Sequence, residues 1–426
     1  MFIISETQRT FASFFIFGLL NNILYVIILS AAIDLVGPST PKAIVLLADI
    51  IPSFSFKVAA PFFIHAVPYI IRLWTLVALS ATGMVLISLS PTNVISWKIL
   101  GITLASLSSG LGEVSFLQLT HYYEENSAIG GFSSGTGGAG LFGSFLFMVL
   151  TNVMGFPVWV VLLICAVFPS GFIITYFNLL PLPMHEYQVI LQQQQEREEE
   201  QEEEEYQQQL QDEARSQNIE SIREVKYSVN YISKHVQNTI HKITPLILPY
   251  MLPLTTVYIS EYVINQGISP TLLFPLKEVP RWLISSYRDI YVVYGFLYQL
   301  GVFISRSSVT MGIRIKRLYL LSVLQFINVM ITLYQSIYDL PFHLIWWLFL
   351  LIFYEGLLGG ASYVNTFKSV SEQVSRTKRE FSMGCVSISD SLGIVIAGCI
   401  NWWLELKLCH LQVARGRDWC LKGGSL

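Results

Sequence analysis

Charge is what this sequence has least of. Only 13% of its 426 residues are Asp, Glu, Lys or Arg, about half the share usual in soluble domains, while 53% are hydrophobic and the mean hydropathy is +0.54. Composition of this kind excludes a soluble globule and points to a polytopic membrane protein. Thirteen of the 29 acids lie between Glu186 and Glu224, so the net charge of -3 carries no message about nucleic acid, and no such partner is expected. Cysteine is scarce too. Cys165, Cys385, Cys399, Cys409 and Cys420 show no CxxC or metal spacing, so no disulfide framework is expected, and they read as small buried hydrophobes. No N-x-[ST] acceptor occurs, hence no N-glycan is expected. Enzyme signatures are equally absent. Gly110 to Glu113 narrowly misses the intramembrane aspartyl protease pattern. His65, His121, His185, His235, His241, His343 and His410 are too scattered for a di-metal site, and there is no G-x-S-x-G. No catalytic residue, metal or cofactor is expected, and the chain is read as not an enzyme.

What is present is a series of apolar runs near the ~20 residues that span a bilayer as helix. In the first half they are Phe11 to Ile33, Ala43 to Ile64, Tyr69 to Leu89, Trp97 to Leu119, Ile129 to Val153 and Val158 to Leu179. The first is read as a retained helix rather than a signal peptide cleaved near Ser30-Ala31-Ala32, because it exceeds a signal core of about 7 to 15 residues. Five more follow at Leu246 to Asn265, Ile290 to Ser305, Leu318 to Ile337, Phe342 to Tyr363 and Phe381 to Trp402. The expected fold is an all-α polytopic membrane protein with about 11 transmembrane helices in a 6+5 arrangement. Residues 1-180 form the first bundle, 181-243 a Gln/Glu-rich cytoplasmic linker, 244-403 the second bundle and 404-426 a tail. The linker cannot bury apolar surface, so it is either disordered or a solvated helix. Within it, Glu186 to Leu191 faintly resembles an acidic-dileucine sorting signal. Basic clusters at Arg306 to Arg317 and Lys368 to Arg379 place those loops, the N-terminus and the linker in the cytoplasm. The C-terminus then falls on the opposite side, with Leu404 to Leu411 as an interfacial or re-entrant alternative.

Polar residues inside the runs fall on helix faces. Ser106, Ser109, Gly110, Glu113 and Thr120 recur at three- and four-residue spacing, as do Tyr258, Glu261, Tyr262 and Asn265, and again Glu355, Gly359, Ser362 and Thr366. Asn21 and Asn22 sit mid-run in the first helix, Asp390 lies in the eleventh and Arg306 closes the eighth. A carboxylate at bilayer depth costs at least ~2.5 kcal/mol, so three on separate helices suggest a substrate or proton path, with a proton shared among Glu113, Glu261 and Glu355. Seven glycines between Gly130 and Gly143, among them Gly135, Gly137, Gly138 and Gly140, read as a close-packing face or as part of a cavity wall.

Seven stretches carry a family likeness: LLNNILYVIILSAAID (Leu19 to Asp34), GLGEVSFLQLT (Gly110 to Thr120), SSGTGGAGLFG (Ser133 to Gly143), EYVINQG (Glu261 to Gly267), YQLGVFISRSS (Tyr298 to Ser308), YEGLLGGASYVNTF (Tyr354 to Phe367) and REFSMGCVSISDSLGI (Arg379 to Ile394). Together they resemble a fungal member of the battenin family, the lysosomal and vacuolar membrane proteins named for Batten disease. That resemblance implies a fold related to major facilitator and equilibrative nucleoside transporters, with the first, fourth, seventh and tenth helices lining a central cavity. It implies residence in the vacuole membrane, a role in vacuolar pH homeostasis, and transport of basic amino acids (arginine) in fungi or glycerophosphodiesters in animals. A non-transporting organiser that recruits trafficking or proton-pump factors is a further alternative. Expected partners are the lipid bilayer and a small-molecule substrate. The substrate-binding or proton-coupling set is Asn21, Asn22, Glu113, Glu261, Asn265, Arg306, Glu355, Tyr363, Asn365 and Asp390. The tail ends GGSL, so the prenylation box of animal members is not carried over.

Overall fold

The computed structural model describes residues 5–31, 43–91, 94–183, 234, 236–280, 284, 287–417 and 419–422. The Gln/Glu-rich run and the dileucine-like segment at Glu186 to Leu191 lie outside these. By internal contacts the chain divides into a unit of Met1–Leu180 with Leu246–Leu426, and a second unit, Pro181–Pro245. The first holds everything described below.

Its first half contains α1 (Glu6–Ser30), α2 (Ala43–Ala59), α3 (Tyr69–Leu89), α4 (Ile95–Leu119), α5 (Glu125–Met148), α6 (Val158–Cys165) and α7 (Ser170–Ile174). The second contains α8 (Leu252–Tyr262), α9 (Tyr287–Arg306), α10 (Leu318–Tyr338), α11 (Ile345–Gln373), α12 (Arg376–Val386), α13 (Ile388–Ala414) and α14 (Trp419–Lys422). No strand occurs among the described residues. Among the described residues, nine stretches of helix are long and apolar enough to cross a membrane. α2, with 17 residues, and α9, diluted by Arg288, Asp289 and Gln299, are not among these. Trp74, Phe296, Phe326, Trp346, Trp347 and Trp402 are exposed on the outer surface, where a lipid-facing belt needs apolar and aromatic side chains.

Glycine sets how closely the helices of the first half approach. A Cβ added at Gly131 or Gly135 of α5 would meet the backbone carbonyls of Phe11 and Phe15 in α1, so these two helices touch backbone to backbone. Gly83 and Gly101 do the same for α3 and α4, each abutting the other's carbonyl at 2.7 Å. The other glycines of the run differ. A Cβ at Gly137 would meet Arg306 Cδ at 3.0 Å and one at Gly138 the rings of Phe142 and Phe303, whereas Gly140 faces the Gln299 amide.

Several expectations need correcting. The eleventh span is two helices, broken at Ser387, and the second runs on to Ala414; Leu404 to Leu411, the suggested re-entrant segment and start of the tail, is its continuous C-terminal portion. The helix-forming residues Leu404, Glu405, Leu406, Lys407 and Leu408 contain no breaker that would turn the chain back. Cys409 and Cys420 form a disulfide, because α14 folds back against α13 and brings together thiols that their sequence spacing left unlinked. Cys399 is exposed on the outer face of α13, although Cys165 and Cys385 are buried. The seventh span is irregular at both ends, with π-helical turns at Ile247–Met251 and Val263–Ile268 around α8.

Candidate functional site

α2 carries the residues that organise the site. Asp49, Ser53 and Lys57 repeat every four residues and so share one face. Pro52 lies inside this helix. The Ser53 N–H donates to Ser106 Oγ at 3.0 Å, and that hydroxyl donates to the Asp49 carbonyl. A side chain from α4 is thus inserted into the backbone ladder of α2, a recognised cause of helix bending. Gly110 follows one turn later on α4 and packs on Ser53, whose carbonyl would lie 2.9 Å from any added Cβ. The Ser106 and Gly110 stripe is therefore the seat on which α2 rests.

Beyond this seat lies a cavity of about 150 Å³ lined from both halves. Asn22, Tyr25, Asp49, Lys57, Glu113, Thr136 and Gly140 come from the first half; Tyr258, Tyr262, Tyr298, Arg306, Tyr363 and Asp390 come from the second. At its wall the Lys57 ammonium lies 2.5 Å from Glu113 Oε2 and 3.1 Å from Asp390 Oδ1, and donates to Ser391 Oγ at 2.8 Å. Tyr363 donates to the other Glu113 oxygen at 3.0 Å, and Asp390 Oδ1 accepts the Ser391 N–H at 2.6 Å. One cation is thus shared by two carboxylates, Glu113 of the first half and Asp390 of the second. All three side chains are at least nine-tenths buried.

Arg306 is held differently. Its guanidinium donates to Thr136 Oγ1 at 2.6 Å and Tyr258 Oη at 2.9 Å, and stacks 4.1 Å from the Tyr363 ring centroid. Nε has no acceptor, and among the described residues no carboxylate forms an ion pair with it. Tyr25 and Tyr262, one from each half, both line the cavity.

The expected carboxylate trio is split. Glu261 accepts from Tyr298, and a Cβ on Gly359 would collide with its carboxylate. Glu355 accepts from Asn265 Nδ2 at 2.9 Å, while Asn265 also donates to the Glu261 carbonyl at 3.1 Å. One oxygen of Glu261 and one of Glu355 are buried without a partner. Neither acid lines the cavity with Glu113; they form a second buried group within α8 and α11. The cause is helix phase: Glu113 points toward α2, where Lys57 meets it, and Glu261 toward α9 and α11. Among the described residues Arg306 forms an ion pair with neither.

Other expected residues have more local work. Asn21 donates to the Ser109 carbonyl at 3.1 Å and packs on Gly112, tying α1 to α4, and its neighbour Asn22 lines the cavity. Asn365 is outside the cavity wall; its Oδ1 accepts from Arg314 Nη1 and the Ile315 N–H, both at 2.8 Å, anchoring the loop before α10. Gly135, Gly137 and Gly138 pack helices and Gly140 alone of the four lines the cavity. Lys57 and Asp49 were missed by the sequence reading. The signal was there, in the same four-residue repeat that singled out α4, α8 and α11.

A family profile described as CLN3 protein matches residues 12–411. The chain is 63% identical to Protein BTN1 of Debaryomyces hansenii over 423 residues, covering 99% of both chains. It is 50% identical to Protein BTN1 of Yarrowia lipolytica (98% of this chain, 99% of the relative) and 45% identical to that of Saccharomyces cerevisiae (97% and 98%). Among solved structures it resembles the human organic anion transporter MFSD10 with a TM-score of 0.58 at 12% identity, covering 98% of this chain and 97% of the other. The major facilitator proton:xylose symporter XylE matches with a TM-score of 0.57 at 12% identity, covering 99% and 92%. At such identities the likeness is one of fold. With the residue-level matches spanning both halves, the conclusion is that the chain belongs to the CLN3 protein family, the battenins, and has a transporter-like fold of the major facilitator type.

Proposed function

We propose that this protein is a secondary transporter of the vacuole membrane that moves a basic amino acid, arginine being the leading candidate, by alternating access, and thereby contributes to vacuolar pH homeostasis. The observation that carries the reading is the Lys57 bridge between Glu113 and Asp390. Alternating access requires the two halves to exchange contacts around a fixed site, and a ligand drives the exchange only through unequal contacts in the two states. Here one lysine of the first half holds a carboxylate of each. A proton or substrate cation arriving at either carboxylate competes with Lys57 and loosens the join at the cavity wall.

Arg306 supports a second reading. A half-buried guanidinium whose partners are hydroxyls and a ring favours an anionic group, which both an amino-acid carboxylate and a phosphodiester supply. A glycerophosphodiester is therefore the alternative substrate. Purified protein in proteoliposomes, offered arginine, lysine and glycerophosphodiesters with pH set independently on each side, separates the two. Saturable, pH-dependent uptake of arginine supports the first; flux of the phosphodiester alone supports the second. No flux of any of the three under any gradient refutes transport of either substrate class.

A further inference from the structure

Every other acid of the cavity wall is committed: Glu113 and Asp390 are both spent on Lys57. Asp49 is not. It is 4% exposed and lines the cavity, yet among the described residues its carboxylate accepts no hydrogen bond and joins no ion pair. Its backbone is fixed at the place where Ser106 enters α2, so the side chain is positioned by a special local structure rather than left in a loop. Tyr25 and Ser109 share with it a second, small cavity of about 10 Å³ as well as the main one, and they offer a ring face and neutral polar atoms but no cation.

An uncompensated buried carboxylate is expensive. A cation brought in by the ligand removes the expense, and an aromatic face next to it adds cation-π attraction. The same cavity holds Arg306 with its Nε free. Its wall therefore offers one carboxyl without a cation and one guanidinium without a carboxylate, contributed by different halves of the protein.

We infer that Asp49 is the residue that selects for positive charge in the ligand, receiving the cationic end of an amphoteric solute whose acidic end lies on Arg306. This rests on the transporter reading above and deepens it. The consequence is that selectivity and the bridge are separate functions of one face of α2: Asp49 reads the ligand, and eight residues on, Lys57 holds the halves together.

The test compares arginine with citrulline, which has the same length but a neutral ureido end. Binding of both to detergent-solubilised protein is measured at one pH for wild type and Asp49→Asn. Wild type should prefer arginine by tenfold or more. Asp49→Asn should lose at least tenfold in arginine affinity while keeping its citrulline affinity, so that the preference falls below about threefold. Should the Asn variant not fold, Asp49→Ser, which is smaller and also neutral, carries the same comparison. Unchanged arginine affinity, or equal losses for arginine and citrulline, overturns the assignment and leaves the transporter reading standing. Wild type that binds neither refutes the basic amino-acid reading and this inference with it.

Discussion

Lys57 shows what a single side chain can decide in a dry interior. Breaking a buried ion pair by removing one partner costs about 3–5 kcal/mol, because the other charge stays behind. Lys57→Met leaves two carboxylates facing each other and should lower the thermal unfolding midpoint in detergent markedly. Adding Asp390→Asn to it should recover part of the loss, the non-additivity expected of groups in contact; a wild-type midpoint for Lys57→Met would show that the bridge contributes nothing. If transport is coupled to protons, Glu261 and Glu355, each with an unpartnered oxygen, are the acids to test as proton holders. Glu261→Gln and Glu355→Gln keep size and hydrogen bonding, so the variant of the titrating member should transport with a flattened pH profile. Folded variants that both keep the wild-type rate and profile would remove the pair from coupling. Glu113, Glu261, Glu355 and Asp390 were legible in the sequence because a carboxylate in an apolar run is conspicuous. Which of them share a site was not, since that depends on helix phase between neighbours, and Lys57 stands in an otherwise apolar run.

Among the helices, α5 is the most demanding to build. It begins at a cap: Glu124 accepts the N–H groups of Asn126 at 3.1 Å and Ser127 at 2.8 Å. Burial pushes this carboxyl upward, but the hydrogen bonds of Ser127 and Asn126 and the nearby Lys368 outweigh it and hold Glu124 below its ordinary value of 4.5. A depressed carboxyl stabilises above its unfolded value and loses that contribution as pH falls through its folded one. Glu124→Ala should therefore cost about 0.5–1 kcal/mol at pH 7, the low side of the cap range because the site is partly wet, and less as the pH drops below 4.5. Unfolding midpoints of both proteins across that range check the sign. Farther along, Gly135→Leu must push α5 off α1 and should abolish folded protein, whereas Gly138→Ser meets only rings at 3.3 Å or more and should be tolerated. Fluorescence-detected size exclusion distinguishes them. Glycine enrichment told the sequence reader that something packs here; only the helix neighbours say which glycine meets backbone and which meets a movable side chain.

At the scale of the molecule, the end that carries the basic loops is also the end where the halves are tied by charge. Glu125 of α5 pairs with Lys368 at 3.0 Å and Arg379 at 2.7 Å, and Glu380 accepts from Tyr69 and Tyr122 of the first half, both at 2.6 Å. These contacts join the halves at that end, so Glu125→Gln should loosen the join there. If the protein resides in the vacuole membrane as proposed, single cysteines placed near Arg314 and Lys378 should be labelled by impermeant reagent in intact vacuoles presented cytoplasmic side out, and faster in the Glu125→Gln background. Labelling only after lysis would invert the topology. Apolar runs and basic loops made most of this architecture readable in advance, whereas the carboxyl end was not, because its shape depends on pairings between distant helices. There Gln412 donates to the carbonyls of Thr271 and Ser336, Arg417 pairs with Asp339, and Trp419 stacks on Tyr287.

That last knot lies at the far end of α13, 27 residues or about 40 Å from the basic loops, and Cys409–Cys420 ties it. Cystines persist on the oxidising side of a membrane and are reduced in cytosol. The pair is thus a chemical record of which compartment the carboxyl end entered during biosynthesis. Alkylation of the denatured, unreduced protein should find three reactive thiols, those of Cys165, Cys385 and Cys399, and two more only after reductant. Five at the outset would mean that this end never left the cytosol, whatever the charges of its loops suggest.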